Sequence, residues 1–384
     1  MTFYTLLCQF TPEQKQLILK NPHTLHFFCY YDNIKVLSIK HNIFDQKLNH
    51  ELDEEYDITN GYIYKRHFTN KFPTSFNINY DLIKNIYFQN SIRFKLDDNF
   101  PSLTYQDRRQ RPTSTLHLGQ IKLFLTILQF LTKYIPKNKE THIVYPGSAY
   151  GQNIHILSKL FPNCYWYLID PNNFYVKLHD NNKILYMSNT FFTNENAHYF
   201  KKKLKNKFTV FICDTRNLDT FDNRDLKEFK YDKDMYYQYN WCKIFNADIS
   251  FLKFRIPRFP NEYTYFDGEL FIQPFAPVTT NETRLVVKKN AKDKIYYLND
   301  YEDKLYYHNR ILRVCNYSKL HNYKYKYFCN CFDCTSFFLI LENYIKIYNS
   351  DLSIYPLIEK IFKYLHEYKP LLKDNFNKII ENIK

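Results

Sequence analysis

The stretch Ile143-Val144-Tyr145-Pro146-Gly147-Ser148-Ala149-Tyr150-Gly151 decides the fold. An apolar run of strand length ends in two of the chain's five glycines, set four residues apart. A strand that breaks into a glycine-bearing turn and then a helix lets backbone N–H groups approach a ligand at a helix N-terminus. The next apolar run, Tyr165–Ile169, ends in Asp170, where an acidic side chain can accept ribose hydroxyls, as in nucleotide-binding α/β folds. The GxGxxG spacing of dinucleotide binders is absent. Gly-Ser-Ala-x-Gly followed by that aspartate suits S-adenosyl-L-methionine better, although an ordinary strand-to-helix turn would read the same way.

Outward from this turn the pattern is regular. Ile121, Leu125, Leu128 and Leu131 recur at helical spacing and predict a helix over Gln120–Tyr134 just before it. Strands are expected at His142–Tyr145, Tyr165–Ile169, Ile184–Met187, Phe208–Cys213 and Asp248–Phe254. Helices are expected between them at Asn153–Leu160, about Phe174–His179, about Glu195–Lys205 and about Lys233–Phe245. Strands alternating with helices give an α/β class: a mostly parallel, Rossmann-like sheet flanked by helices. Leu270–Gln273 and Thr283–Lys288 leave no room for a helix between them, so the sheet should end in an antiparallel hairpin. A helix over Tyr301–Val314 and two or three helices within 336–384 complete the reading. It divides the chain into an N-terminal extension of unknown role (1–100), a basic arm (101–116), the α/β domain (117–330) and a C-terminal helical segment (331–384).

The 384 residues carry a net charge of +14, which calls for an anionic partner, most often nucleic acid. The 37 Tyr and 35 Phe invite a base-stacking interpretation, but an AT-rich coding sequence would enrich the same residues, so they carry little weight alone. No apolar run has membrane-span length, and no membrane role is expected. Nine cysteines without a secretion signal read as reduced thiols. Cys329, Cys331 and Cys334, with His321 or Cys315 as a fourth ligand, are irregularly spaced for zinc, and no metal is expected.

Four charged residues fall where α/β folds put chemistry. Asp214 follows the strand Phe208–Cys213, and Lys253 interrupts the apolar strand Ile249-Ser250-Phe251-Leu252-Lys253-Phe254. Glu282 opens the strand after Gln273-Pro274-Phe275-Ala276-Pro277, and Lys122 lies early in the helix before the glycine turn. Each alone is ordinary: a turn aspartate, a snorkelling lysine, two solvated charges. Together they match what methyl transfer to a ribose hydroxyl needs, namely a base, a group to orient it and a cation near the developing alkoxide.

These residues resemble a known family, the poxvirus-type cap-specific mRNA (nucleoside-2′-O-)-methyltransferase that also serves as poly(A) polymerase regulatory subunit, within the FtsJ-like superfamily. The matching stretches are Gly119–Leu123, Val144–Gly151, Leu168–Asp170, Asp214–Arg216, Gln273–Pro277, Glu282–Leu285 and Tyr301–Glu302 with Tyr306-Tyr307. The resemblance implies Lys253 as the base, oriented by Asp214 and supported by Lys122 and Glu282. It implies donor contacts from Gln120, Gly147, Ser148, Ala149, Gly151 and Asp170, with Phe191 beside the adenine. It implies a cap gripped by Tyr105 and Phe259 and read by Glu302, with Asn261 or Glu262 as a second reader. Capped mRNA and a poly(A) polymerase catalytic subunit are the implied partners, and virion and host cytoplasm the implied location. Tyr150 stands where the family has Pro, and an extra residue, Arg258, precedes Phe259. Two other readings compete: a non-catalytic RNA-binding polymerase subunit, and a cap-independent rRNA 2′-O-methyltransferase.

The lysines Lys201-Lys202-Lys203, Lys205 and Lys207, the run Lys319–Lys326, and Arg108, Arg109 and Arg111 are expected to form an RNA track from cap to active site.

Overall fold

The computed structural model describes residues 55–59, 62–66, 89, 91–105, 119–174, 183–216, 224–258, 260–277, 280–310, 312–315, 317, 320–323, 331–348 and 352–367. Arg108, Arg109, Arg111, Phe259, Cys329, most of Lys319–Lys326 and all but the first residue of the helix expected at about Phe174–His179 lie outside these residues. Strands β1 (Glu55–Thr59) and β2 (Tyr62–Arg66) form an antiparallel hairpin.

Helix α1 (Gly119–Tyr134) leads into β3 (Thr141–Pro146), then α2 (Gln152–Leu160), β4 (Cys164–Ile169) and β5 (Ile184–Met187). Helix α3 (Asn194–Lys203), β6 (Phe208–Cys213), α4 (Arg224–Phe245) and β7 (Ile249–Phe254) follow. Next come β8 (Glu262–Phe266), β9 (Glu269–Phe271), β10 (Thr283–Lys288), β11 (Asp293–Tyr297) and α5 (Leu298–Arg310). After a 3-10 turn at Leu312–Val314 come α6 (Phe332–Tyr348) and α7 (Ile354–Glu367), the last described elements.

Seven strands form one sheet in the order β5-β4-β3-β6-β7-β10-β9. Neighbours from β5 to β7 run parallel, and β10 is antiparallel to both β7 and β9. The sheet therefore ends as the sequence predicts. From β3 the chain winds outward through β4 and β5, then returns to add β6 on the other side. This reversal puts a crevice between the C-terminal ends of β3 and β6, where α/β sheets hold ligands.

Side chains alternate between two cores because successive strand residues point to opposite faces. Ile143, Tyr145, Trp166, Leu168, Val210, Ile212 and Phe251 pack under α1, α2, α6 and α7. Val144, Tyr167, Ile169, Phe211, Cys213 and Leu252 pack under α3, α4 and α5. Phe130 of α1 stacks on Phe251 with centroids 4.4 Å apart, and burying each such ring contributes about 1.5–3 kcal/mol.

Several boundaries differ from the sequence reading. Helix α4 begins at Arg224, nine residues before the expected Lys233, because its first turns are charged and show no apolar period. Helix α5 spans Leu298–Arg310 rather than Tyr301–Val314. Strands β8 and β11 pair as a separate ribbon that the sequence reading lacks. Residues 91–100 lie along the sheet edge: Leu96 N donates to Leu270 O at 2.9 Å and Ile272 N to Phe94 O at 2.8 Å. Phe100 and Phe332, the first residue of α6, lie in the same core, and the rest of the buried face of α6 packs in the other. Among the described residues no helix is long and apolar enough to cross a membrane.

Candidate active site at the C-terminal sheet edge

The glycine turn sits at the mouth of the crevice. Gly147 has φ +79°, and a Cβ built there would stand 2.6 Å from the Asp214 carbonyl carbon. Only glycine fits, because β6 leaves the sheet directly beside the turn. Gly151, φ +80°, caps the N-terminus of α2. Gly147 N donates to Ile169 O at 2.9 Å and Asp214 N to Pro146 O at 3.1 Å, tying the ends of β3, β4 and β6 together.

Asp170 is buried and already accepts three hydrogen bonds. Ala149 N donates to Oδ2 at 3.0 Å, and Asn172 donates to Oδ1 from N at 2.8 Å and from Nδ2 at 3.1 Å. A carboxylate has about four acceptor positions, so Oδ2 keeps one for a ribose hydroxyl. Gln120 reaches the same region from α1 by accepting from Asn153 Nδ2 at 3.1 Å. Ser148 Oγ and Asn153 Oδ1 are buried with no hydrogen-bond partner among the described residues. Orphaned polar atoms cost free energy when sealed from water, so these two around a glycine turn fit a polar ligand that supplies partners. The residues present therefore suit S-adenosyl-L-methionine. Phe191, 72% exposed, follows Thr190, whose N donates to Asp170 O at 3.1 Å, so its ring stands at the rim of the crevice.

Beside the turn, the four sequence-predicted charges come together. Lys253 Nζ lies 2.9 Å from Asp214 Oδ1 and 3.9 Å from Glu282 Oε2, and Lys122 Nζ lies 3.4 Å from Glu282 Oε1. Two further cations, to which the sequence reading assigned no role, complete the cluster. Arg284 Nη2 donates to Asp214 Oδ1 at 2.8 Å, and Arg216 Nη2 donates to Glu282 Oε2 at 3.2 Å. Gln273 accepts from Arg284 Nε at 2.9 Å, fixing the guanidinium plane. Arg284 is 1% exposed.

Burial alone would push both carboxyls up. For Asp214, Arg284 and Lys253 outweigh it and bring the pKa down to about 2. For Glu282, Lys253 and Lys122 lead the cations that hold the carboxyl well below its usual range. Burial lowers the Lys122 amine, against the pull of Glu282. Both carboxylates are thus fixed as anions, and four cations surround them.

Lys253 is held at its backbone as well. The β6–β7 pairing stops at Cys213 and Leu252, so the next residue has no strand partner on its β6 side. Gln238 of α4 takes that place: its Nε2 donates to Lys253 O at 2.9 Å, and its Oε1 accepts from Lys253 N at 3.2 Å. A glutamine on a tyrosine-rich helix gives no sequence signal for this. Arg284 had a signal, a charge directly before the apolar run Leu285-Val286-Val287 of the same strand, but such a charge usually points to solvent.

Of the predicted cap residues, Glu302 lies on α5 and Tyr105 packs against it, while Phe259 lies outside the described residues. Tyr105 N donates to Asp303 Oδ1 at 2.6 Å, and its ring meets Tyr306 edge-on at 5.6 Å. Glu302 accepts from Asn281 Nδ2 at 3.4 Å, one residue from Glu282, and burial holds its carboxyl above the usual carboxylate range. Arg258 packs against Glu228, its N donating to Oε2 at 3.2 Å.

One expectation is corrected. Lys201–Lys203, Lys205 and Lys207 end α3 and precede β6, whereas Asp214 follows β6. They lie a full strand, roughly 20 Å, from the cluster and cannot line a track into it. Cys334 and Cys315 are buried thiols, and among the described residues no group of His, Cys, Asp or Glu could hold a metal ion.

A family model described as poly A polymerase regulatory subunit matches residues 94–366. Comparison with curated proteins finds no match. Among solved structures, bluetongue virus VP4, described as a multifunctional RNA-capping production line, is similar at 15% identity and a TM-score of 0.37. The alignment covers 59% of this chain and 39% of that one, so the chain spans well under half the length of that protein.

Proposed function

From the premise that the chain belongs to the poly A polymerase regulatory subunit family, we propose that it is a cap-dependent mRNA 2′-O-methyltransferase that also partners a poly(A) polymerase catalytic subunit. The observation that carries this reading is the Lys253–Asp214 contact of 2.9 Å, made directly beside the Gly147 turn. When bound, S-adenosyl-L-methionine would supply an electrophilic methyl on a cationic sulfonium.

The chain's own residues account for the rest. Gly147–Gly151 and Asp170 would hold the donor, with Gln120, Ser148 and Ala149 around it and Phe191 beside its adenine. Lys253 Nζ takes the proton of O2′ while the new carbon–oxygen bond forms. Asp214 fixes that amine, and Arg284 with Gln273 fixes Asp214. Lys122, Arg216 and Arg284 leave surplus positive charge around the reacting oxygen, where alkoxide character develops. Tyr105, with Phe259, stacks the electron-poor 7-methylguanine, and Glu302 reads its edge. In this reading the protein works in the virion and host cytoplasm.

Incubation with capped RNA and methyl-labelled donor should label the first transcribed nucleotide, and cap analogue should compete. Activity indifferent to the cap would favour the rRNA-type reading. Co-purification with the polymerase catalytic subunit and longer tails in its presence would support the second role.

A further inference from the structure

The loop that carries Glu282 into the charged cluster is gripped from outside the cluster. Gln273 and Glu282 close this loop, with Gln273 Nε2 donating to Glu282 Oε1 at 3.3 Å. Between them Phe275 sits at φ +57°, a left-handed conformation that a bulky residue adopts only when its surroundings hold it there. Two buried residues do so. Asp333, in the first turn of α6, accepts from Phe275 N through Oδ1 at 2.9 Å. Its Oδ2 accepts from Arg313 Nε at 2.9 Å, and Arg313 donates onward from Nη2 to Ala276 O and from Nη1 to Pro277 O. One ion pair thus engages the backbone of three consecutive residues.

The hold continues to the cluster. Thr280 N donates to Pro277 O at 2.9 Å, and Glu282 N donates to Thr280 Oγ1 at 3.1 Å. Asn309 of α5 pins the same turn, its Nδ2 donating to Thr280 O at 3.0 Å. A chain of hydrogen bonds therefore runs from α6 to the backbone of Glu282, whose carboxylate meets Lys122, Arg216 and Lys253.

Stability alone does not account for the pair. Arg313 is 2% exposed and Asp333 5%. Burial outweighs Arg313 and raises the Asp333 carboxyl to about 6, so keeping it ionised at neutral pH costs stability. Apolar side chains of similar volume can often replace a buried ion pair with no loss of stability. They cannot supply donors and an acceptor for the loop backbone.

We propose that Arg313 and Asp333 are positioning residues: from beside the C-terminal helices they set the shape of the loop 273–282 and, through it, the place of Glu282 among its cations. The effect on methyl transfer rests on the function proposed above, whereas the effect on the placement of Glu282 does not.

The test uses the full chain carrying Arg313→Met and Asp333→Leu together, unfolded in urea with and without Glu282→Gln. If the pair places Glu282, loss of that carboxylate should raise the unfolding constant by a factor more than about twofold smaller in the apolar variant than in wild type. Independent sites would agree within about twofold, and that agreement overturns the proposal. In methyl transfer to capped RNA the apolar variant should show kcat down about tenfold, with donor affinity by calorimetry within about twofold of wild type. An undiminished kcat overturns the proposal. So does a donor affinity that falls with kcat, which would mark a general loosening of the fold. Should the apolar variant not fold, Arg313→Lys carries both measurements, because an ammonium balances Asp333 but cannot hold two carbonyls in the guanidinium geometry. If wild type itself transfers no methyl group, the proposed function fails and the unfolding comparison alone decides this inference.

Discussion

Lys253 and Arg284 face each other across the β7–β10 ladder, and both reach the same oxygen, Asp214 Oδ1, at 2.9 and 2.8 Å. Two cations from opposed strand positions thus converge on one buried carboxylate. Removing one partner of such a buried set leaves an uncompensated charge and costs about 3–5 kcal/mol. Arg284→Met should lower stability by that order in urea unfolding. Arg284→Lys should recover only part of it, because an ammonium cannot hold Gln273 and Asp214 at once in the guanidinium geometry.

The same set gives a pH dependence. Asp214 has its folded pKa lowered from 3.8 to about 2, so it contributes stability above the unfolded value, and this is lost as pH falls through the folded one. The wild-type advantage over Asp214→Asn, about 2 kcal/mol from this shift, should be constant above pH ~5 and fade to nothing only near pH ~1. Paired urea titrations between those limits check the sign.

Much of the site is legible in the sequence because its residues break local patterns. Lys253 interrupts a strand that is otherwise apolar, and Gly147 ends another. What escaped is what acts through another residue. Arg284 looks like an outward strand charge until β7 and β10 are paired, and Gln238 has meaning only where β6 stops. The lysines at the end of α3 precede β6 and Asp214 follows it, so the order of elements already sets them at the opposite end of the sheet. Strands β8 and β11 escaped because their pairing spans at least 27 residues of chain and few of their residues are buried, Tyr265 and Phe266 in one and Tyr296 in the other.

Gln238→Leu keeps the volume and deletes both hydrogen bonds to the Lys253 backbone, at a cost of about 1–3 kcal/mol. If Gln238 positions the amine, kcat should fall about tenfold with KM for capped RNA nearly unchanged. Equal changes in both constants would assign it a merely structural role.

Gly147→Ala places a methyl group 2.6 Å from the Asp214 backbone and forces a left-handed residue to carry a side chain. Calorimetric titration should show no donor binding, while circular dichroism should show the fold retained.

The most direct measurement is methyl transfer from labelled S-adenosyl-L-methionine to a capped RNA, comparing wild type with Lys253→Ala at matched donor binding. Wild type should place the label on the 2′-hydroxyl of the first transcribed nucleotide, and the variant should bind donor yet transfer nothing. Transfer undiminished in the variant, or no transfer by wild type, would contradict the account.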